Sequence, residues 1–117
     1  MYKRQHQSRV TTHVLDATSG RPAADVEVTL ERHAGQSWQL ITAGRTDTDG
    51  RITAFGPANL ERGMYRVSFA VAAYFAAQQQ PTFYPEVVIM FSLDDEDAHY
   101  HVPLLLSPYA YTTYRGS

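Results

Sequence analysis

Apolar and polar residues alternate along most of this chain, and the alternation predicts a protein built from short β-strands. From Val26 to Leu30 every second residue is apolar, and the residues between them are polar. Segments 10–16 and 63–69 also fit strands, with Val10, Thr12 and Val14 on one face and with Tyr65, Val67 and Phe69 facing inward. A period of two places one set of side chains on a core and the other on the outer surface, as in a sheet covered on one side.

Turn signals separate these strands at intervals of about ten residues, which is typical of an antiparallel sandwich or barrel. The Asp47–Gly50 sequence, DTDG, favours a tight turn because its glycine accepts a positive φ. Alanine-rich residues 70–79 predict one short helix. We therefore predict an all-β fold, a two-sheet antiparallel sandwich with about eight strands. The expected strands cover residues 10–16, 25–31, 37–46, 51–55, 63–69, 86–91, 100–106 and 109–115.

Length and composition fit one globular domain. The chain has 117 residues, of which 44% are hydrophobic and 19% are charged. This size is enough for one core without disulfides. Residues 1–9 are polar and without pattern, so we expect a flexible N-terminal lead-in followed by a single domain over residues 10–117.

Charge and targeting signals exclude several classes of partner. The net charge is −2, and basic residues are not clustered beyond Lys3 and Arg4, which argues against nucleic acid. The chain contains no run of about 18 apolar residues for a membrane span and no secretory signal. It also has no cysteine. We expect a cytoplasmic protein that does not bind membranes.

Histidines on the outer faces of two strands are the first candidates for chemistry. His99 and His101 share one face, opposite Tyr100 and Val102, while His13 lies opposite Val14. The other residues on these outer faces are apolar or only mildly polar. A covered face that carries histidine suggests a subunit interface with a polar site inside it. The alternative is that each histidine is only a solvated side chain.

Other interpretations of these residues stay open at this point. A His-x-His pair can bind zinc together with a third ligand such as His13, although no nearby carboxylate completes the set. Arg51, taken alone, is an ordinary arginine at the edge of a strand. Ser117 is a terminal residue of the kind that usually frays. No phosphate-binding glycine loop and no nucleophile elbow is present.

Three segments resemble a known family, the transthyretin-like 5-hydroxyisourate hydrolases. They are residues 11–16 (TTHVLD), residues 49–51 (DGR) and residues 99–117 (HYHVPLLLSPYAYTTYRGS). The resemblance extends from about Val10 to Ser117. The closing segment is its most specific part, because transthyretin itself, a hormone carrier of the same fold, shares Leu-Ser-Pro-Tyr but lacks a terminal Tyr-Arg-Gly-Ser.

The resemblance implies an activity and an assembly. The expected reaction is hydrolysis of 5-hydroxyisourate to 2-oxo-4-hydroxy-4-carboxy-5-ureidoimidazoline in urate breakdown. The expected assembly is a homotetramer, a dimer of dimers with active sites at the interface between dimers. The resemblance implies no metal and no organic cofactor. The implied catalytic residues are His13, Arg51 and His101, and the implied substrate-binding residues are Ser117, Tyr114 and Arg115.

Two departures and one rival function remain. Ala110 stands where the family usually has glycine or serine, which concerns the last turn, and residues 1–9 lie outside the motif. His99 is left without a role. The rival is a transthyretin-like carrier that binds a small apolar ligand without catalysis, although a ligand channel would not need the histidines and the arginine.

Overall fold

A computed structural model describes residues 8–117 and shows a sandwich of two four-stranded sheets. The strands are β1 (Val10–Asp16), β2 (Arg21–Pro22), β3 (Glu27–Ala34), β4 (Ser37–Arg45), β5 (Gly63–Phe69), β6 (Val87–Leu93), β7 (Tyr100–Ser107) and β8 (Ala110–Thr113). The first sheet has the order β2-β1-β7-β8 and the second has the order β4-β3-β5-β6. The predicted two-sheet sandwich with one short helix is confirmed.

The core lies between the sheets and consists mainly of strand residues that the alternation placed inward, with further side chains from helix α1 and from the loop after Arg51. Val26, Val28 and Leu30 are fully buried. The other large side chains with almost no exposure are Tyr65, Phe55, Phe69, Phe75, Leu93, Leu104 and Leu106. Burying such side chains is worth roughly 1.5–3 kcal/mol each, so both sheets depend on this layer.

A six-residue helix, α1 (Val71–Ala76), follows β5 and is shorter than the predicted 70–79. It buries Val71 and Phe75, which are one turn apart and so share a face. No helix in the described part of the chain is long and apolar enough to cross a membrane.

One strand pairing departs from the antiparallel expectation. β1 and β7 run parallel, with Thr11 opposite His101 and His13 opposite Pro103. The other named pairings, β1–β2 among them, are antiparallel. Short hairpins impose antiparallel pairing only on consecutive strands, whereas most of the chain separates β1 from β7.

The segment 51–55, predicted as a strand, is not one. Arg51 forms an isolated bridge to His13, and Ile52–Phe55 continue as a loop that buries Phe55 in the core. The apolar residues of this segment therefore reflect a loop packed on the core. β2, which is not among the expected strands, pairs with Leu15 and Asp16 only and leaves the edge of β1 at His13 open for Arg51.

Two residues of the predicted lead-in are held by the domain. Ser8 is 3% exposed, donates its hydroxyl to the Gly56 carbonyl and accepts from the Phe55 amide. The Arg9 carbonyl accepts from the Tyr100 amide, which extends the line of the β1–β7 pair by one residue. For residues 1–7, which lie outside the described residues, the lead-in stays a prediction.

Candidate active site

A tight turn brings Arg51 beside His13. The Gly50 amide donates to the Asp47 carbonyl at 2.9 Å, and the Asp47 carboxylate accepts from the amides of Asp49 and Arg51. The Val14 amide then donates to the Gly50 carbonyl at 2.8 Å, which fixes the turn to the edge of β1. Residues directly opposite in a bridge present their side chains on the same face, so Arg51 joins His13 on the outer face of the first sheet.

Gly50 makes this approach possible. Its φ is +76°, which L side chains rarely adopt. A Cβ there would collide with the Val14 carbonyl and lie 3.3 Å from the His13 imidazole. The glycine is therefore required both by the turn and by the closeness of the turn to His13.

His101 lies on the neighbouring strand and is held through one ring nitrogen. Its register partner on β1 is Thr11, two residues before His13, so both histidines lie on the outer face. The Thr11 hydroxyl lies 2.8 Å from His101 Nδ1 and 3.0 Å from His99 Nε2. Among the described residues, Nε2 of His101 has no hydrogen-bond partner, which leaves it available for a ligand.

The C-terminal segment folds back over this histidine. The Gly116 amide donates to the His101 carbonyl at 2.9 Å, and a Cβ at Gly116 would lie 2.5 Å from His101 Cδ2. The Arg115 guanidinium lies 4.4 Å from the centre of the Tyr100 ring, a cation–π contact that holds the segment down. Tyr114 and Ser117 are exposed beside it.

Burial and neighbouring basic groups lower the pKa of His101. Burial lowers its pKa below the ordinary value of 6.5, and His99, His13 and Arg51 lower it further. His99 is exposed at the surface, but partial burial of its ring, followed by the charge of Arg9, likewise lowers its pKa. Since the Arg51 side chain is exposed and without a hydrogen-bond partner in residues 8–117, the site combines an imidazole of lowered pKa with an available cation.

A cavity of about 180 Å³ lies under the same segment, between the two sheets. It is lined by Ile89, Phe91, Ser92, Tyr100, His101, Val102, Thr113, Tyr114 and Arg115. His13 and Arg51 do not reach it, and its walls are mainly apolar. The cavity is therefore a poor host for a polar substrate and lies behind the histidine face.

The geometry does not favour the zinc alternative. Within residues 8–117 no three histidine, aspartate or glutamate side chains are grouped so that they could hold one metal ion. His99 and His101 converge on the Thr11 hydroxyl instead.

The expected site residues thus fall into two groups. His13, Arg51 and His101 share the outer face of the first sheet, while Tyr114, Arg115 and Ser117 belong to the segment that crosses His101. Sequence reasoning missed the role of Thr11, which contacts His99 and His101, and the packing of Gly50 on His13 and of Gly116 on His101. The alternation had placed Thr11 on the correct face, but only the parallel register puts it beside His101.

Comparison with known proteins gives one family. Residues 10–116 match the model of the HIUase/Transthyretin family. The curated 5-hydroxyisourate hydrolase of Caulobacter vibrioides is 46% identical over 114 residues, covering 94% of this chain and 99% of the relative. The solved 5-hydroxyisourate hydrolase of Klebsiella pneumoniae is 33% identical, with a TM-score of 0.82 over 92% of this chain and 98% of that one. The transthyretin of Sparus aurata is 31% identical, with a TM-score of 0.87 over 94% and 97%.

Proposed function

Because the chain belongs to the HIUase/Transthyretin family, we propose that it hydrolyses 5-hydroxyisourate to 2-oxo-4-hydroxy-4-carboxy-5-ureidoimidazoline in urate breakdown. The curated relatives are 5-hydroxyisourate hydrolases, and their similarity identifies the chain as a hydrolase. The observation that carries the proposal is the position of His13, Arg51 and His101 together on one half-buried sheet face. A carrier would not require that set.

Histidine activates the water. Amide hydrolysis begins when a water oxygen attacks the carbonyl carbon and a base removes a proton from that water. His101 and His13 lie on the same face, and the lowered pKa of His101 keeps it neutral near pH 7, so it can accept this proton. General-base help of this kind is typically worth about 10²–10⁴ in rate.

Arg51 orients the substrate and stabilises the charge that develops on it. As the C–N bond of the ring amide breaks, the carbonyl oxygen first carries negative charge and the leaving nitrogen then takes the proton held by histidine. A guanidinium stays charged and presents several donors in a fixed plane, which suits both the substrate carbonyls and the oxyanion. The exposed Arg51 side chain is available for this role.

The C-terminal segment supplies the remaining substrate contacts. Ser117 would donate to the substrate or to the attacking water, with Tyr114 and Arg115 closing the side of the site. Support comes from the Gly116–His101 pairing, which holds this segment against the catalytic histidine.

The proposed assembly is a homotetramer, a dimer of dimers that joins through the outer face of the first sheet. On this face His13 and His101 lie next to half-buried apolar side chains such as Leu15 and Leu105. A single subunit presents the histidines on an open surface, so a second subunit facing it would enclose the substrate and exclude water. This arrangement uses the apolar residues that a lone subunit leaves partly exposed.

The test follows the decay of freshly generated 5-hydroxyisourate by ultraviolet absorbance, with and without a chelator. We expect rapid decay in both cases. A spontaneous rate combined with tight retention of an apolar ligand would instead identify a carrier, and loss of activity with chelator would identify a metal enzyme. His101→Ala and Arg51→Ala should abolish most of the acceleration while the protein stays folded.

A further inference from the structure

The side chain of Thr11 joins the two histidines of the His-x-His pair. Its hydroxyl lies within hydrogen-bond distance of His101 Nδ1 and of His99 Nε2. We infer that Thr11, with His99 behind it, is a positioning pair that fixes the proton of neutral His101 on Nδ1 and leaves Nε2 free to accept a proton from water. The inference rests on the proposed function, because it assigns roles within that same site.

The single hydrogen of the Thr11 hydroxyl gives the two hydrogen bonds a direction. A threonine hydroxyl carries one hydrogen, so it donates to one of the two ring nitrogens and must accept from the other. One order runs from His101 Nδ1–H to Thr11 and from the Thr11 hydroxyl to His99 Nε2. The reverse order starts at His99 and places the His101 proton on Nε2. A given state of His99 therefore selects the tautomer of His101.

A general base needs the first of these two directions, in which the hydrogen bonds run from His101 to Thr11 and from Thr11 to His99. Nδ1 of His101 is engaged by Thr11, so the ring can face a ligand only through Nε2. That nitrogen accepts a proton from water only when the proton of the neutral ring is on Nδ1. The carboxylate in a catalytic triad has the same task, holding one imidazole nitrogen as the donor so that the other can act as base.

The charges around His99 favour this order. A protonated His99 would donate from both nitrogens, turn the Thr11 hydrogen toward His101 and block the base. Partial burial lowers the pKa of His99, and the charge of Arg9, whose guanidinium donates to the Ala98 carbonyl at 2.8 Å, lowers it further. The other titratable or charged groups facing the pair are His13 and Arg51 beside His101, and Arg115, which donates to the His99 carbonyl at 3.5 Å. The charges of Arg9 and Arg51 oppose an added positive charge on the pair.

The kinetic test compares two substitutions of one residue. Thr11→Val keeps nearly the same shape but removes the hydroxyl, and Thr11→Ser keeps the hydroxyl. We expect Thr11→Val to lower kcat about ten- to a hundredfold with KM within about twofold, since losing the correct tautomer impairs the base and not binding. Thr11→Ser should stay within about threefold of wild type. Thr29→Val, on the second sheet, is the matched control and should leave kcat unchanged.

A second variant guards against misfolding of Thr11→Val. His99 is exposed, so His99→Phe should fold, and it removes the acceptor at the end of the chain of hydrogen bonds. It should lower kcat in the same direction as Thr11→Val. Full activity in folded Thr11→Val or in folded His99→Phe would overturn the inference.

The tautomer itself can be read without substrate. In histidine labelled with ¹⁵N, long-range proton–nitrogen correlation spectra above the titration of His101 should show a protonated Nδ1 and a bare Nε2 in wild type and in Thr11→Ser. Thr11→Val should lose this state. A wild-type protein with protonated Nε2 overturns the inference. If the wild-type protein does not hydrolyse 5-hydroxyisourate, the proposed function is wrong. The spectra still test the proposed tautomer of His101 in that case, because they do not require substrate.

Discussion

His13 and Arg51 face each other across the edge of β1, in a bridge that the two-residue strand β2 is too short to occupy. The Asp47–Gly50 turn holds this bridge through backbone hydrogen bonds that do not involve either side chain. The imidazole and the guanidinium are therefore positioned by the backbone, and each side chain can be changed without removing the turn. Substitutions of His13 or Arg51 can therefore test the effect of each side chain on activity with little change in stability.

Arg51→Lys should retain the positive charge but lose the planar fork of donors. If the guanidinium binds the oxyanion and a neighbouring carbonyl together, kcat/KM should fall about 10²–10³-fold, as for loss of a well-placed oxyanion donor. The melting temperature should change little, because Arg51 is exposed and no side-chain hydrogen bond of the described residues is lost. Steady-state decay of 5-hydroxyisourate and a thermal melt measure both effects, and near-normal turnover would remove Arg51 from the site.

Gly116→Ala should displace His101 without unfolding the protein. The added Cβ would lie 2.5 Å from His101 Cδ2 and 3.2 Å from Cγ, so the imidazole must move. A shift of about 1 Å in a catalytic group can cost about a hundredfold in rate, so kcat should fall steeply while the melting temperature stays close to wild type.

Gly35→Ala is the matched control for that substitution. Its Cβ meets nothing within 4 Å, but its φ of +64° is strained for alanine. This variant should lose about 1 kcal/mol of stability and keep its activity. Equal activities in the two alanine variants would mean that the C-terminal segment does not hold His101.

How far the sequence predicted this site depends on the range of each interaction. Alternation is local, and it placed His13 and His101 opposite the buried Val14 and Val102 correctly. The contact between Thr11 and His101 joins residues 90 positions apart, and the parallel pairing behind it leaves no local pattern. The roles of His13, Arg51 and His101 came from the family resemblance and stay predictions.

The strand predicted at 51–55 failed for a different reason. The segment is a loop whose Phe55 side chain is buried in the core. The buried positions of such a loop follow no regular spacing, so the sequence pattern does not distinguish it from a short strand. Only the turn before it, where Gly50 needs a positive φ, was readable from the residues themselves.

Activity should fall on the acid side only below pH 6.5. The pKa of His101 lies under that ordinary value because burial and then His99, His13 and Arg51 disfavour its charged form. A histidine acts as a base when it is neutral. A lower pKa therefore keeps the enzyme active at lower pH and shifts the acid limb of the kcat/KM profile to lower pH. Arg51→Gln removes one of these cations and should move the limb of the residual activity to higher pH. His33→Gln, on the second sheet, should leave the limb in place, and a wild-type limb above pH 6.5 would contradict the assignment.

Leu105→Arg should separate the proposed dimers and reduce activity together. Leu105 is half-buried on the outer face of β7, next to Leu15 and two residues beyond Pro103. In a tetramer built on this face, the new guanidinium would be buried without a partner, at a cost of several kcal/mol for each unpaired charge. Light scattering coupled to size exclusion should then give a dimer, and kcat/KM should fall at least about tenfold because each site loses the subunit that covers it.

Leu40→Arg gives the comparison, since Leu40 is 60% exposed on β4 of the other sheet and should leave both mass and activity unchanged. A fully active tetramer of Leu105→Arg would show that the histidine face is not the interface between dimers. A fully active dimer would show that one subunit encloses the substrate without help, and would move the site from the interface to a single chain.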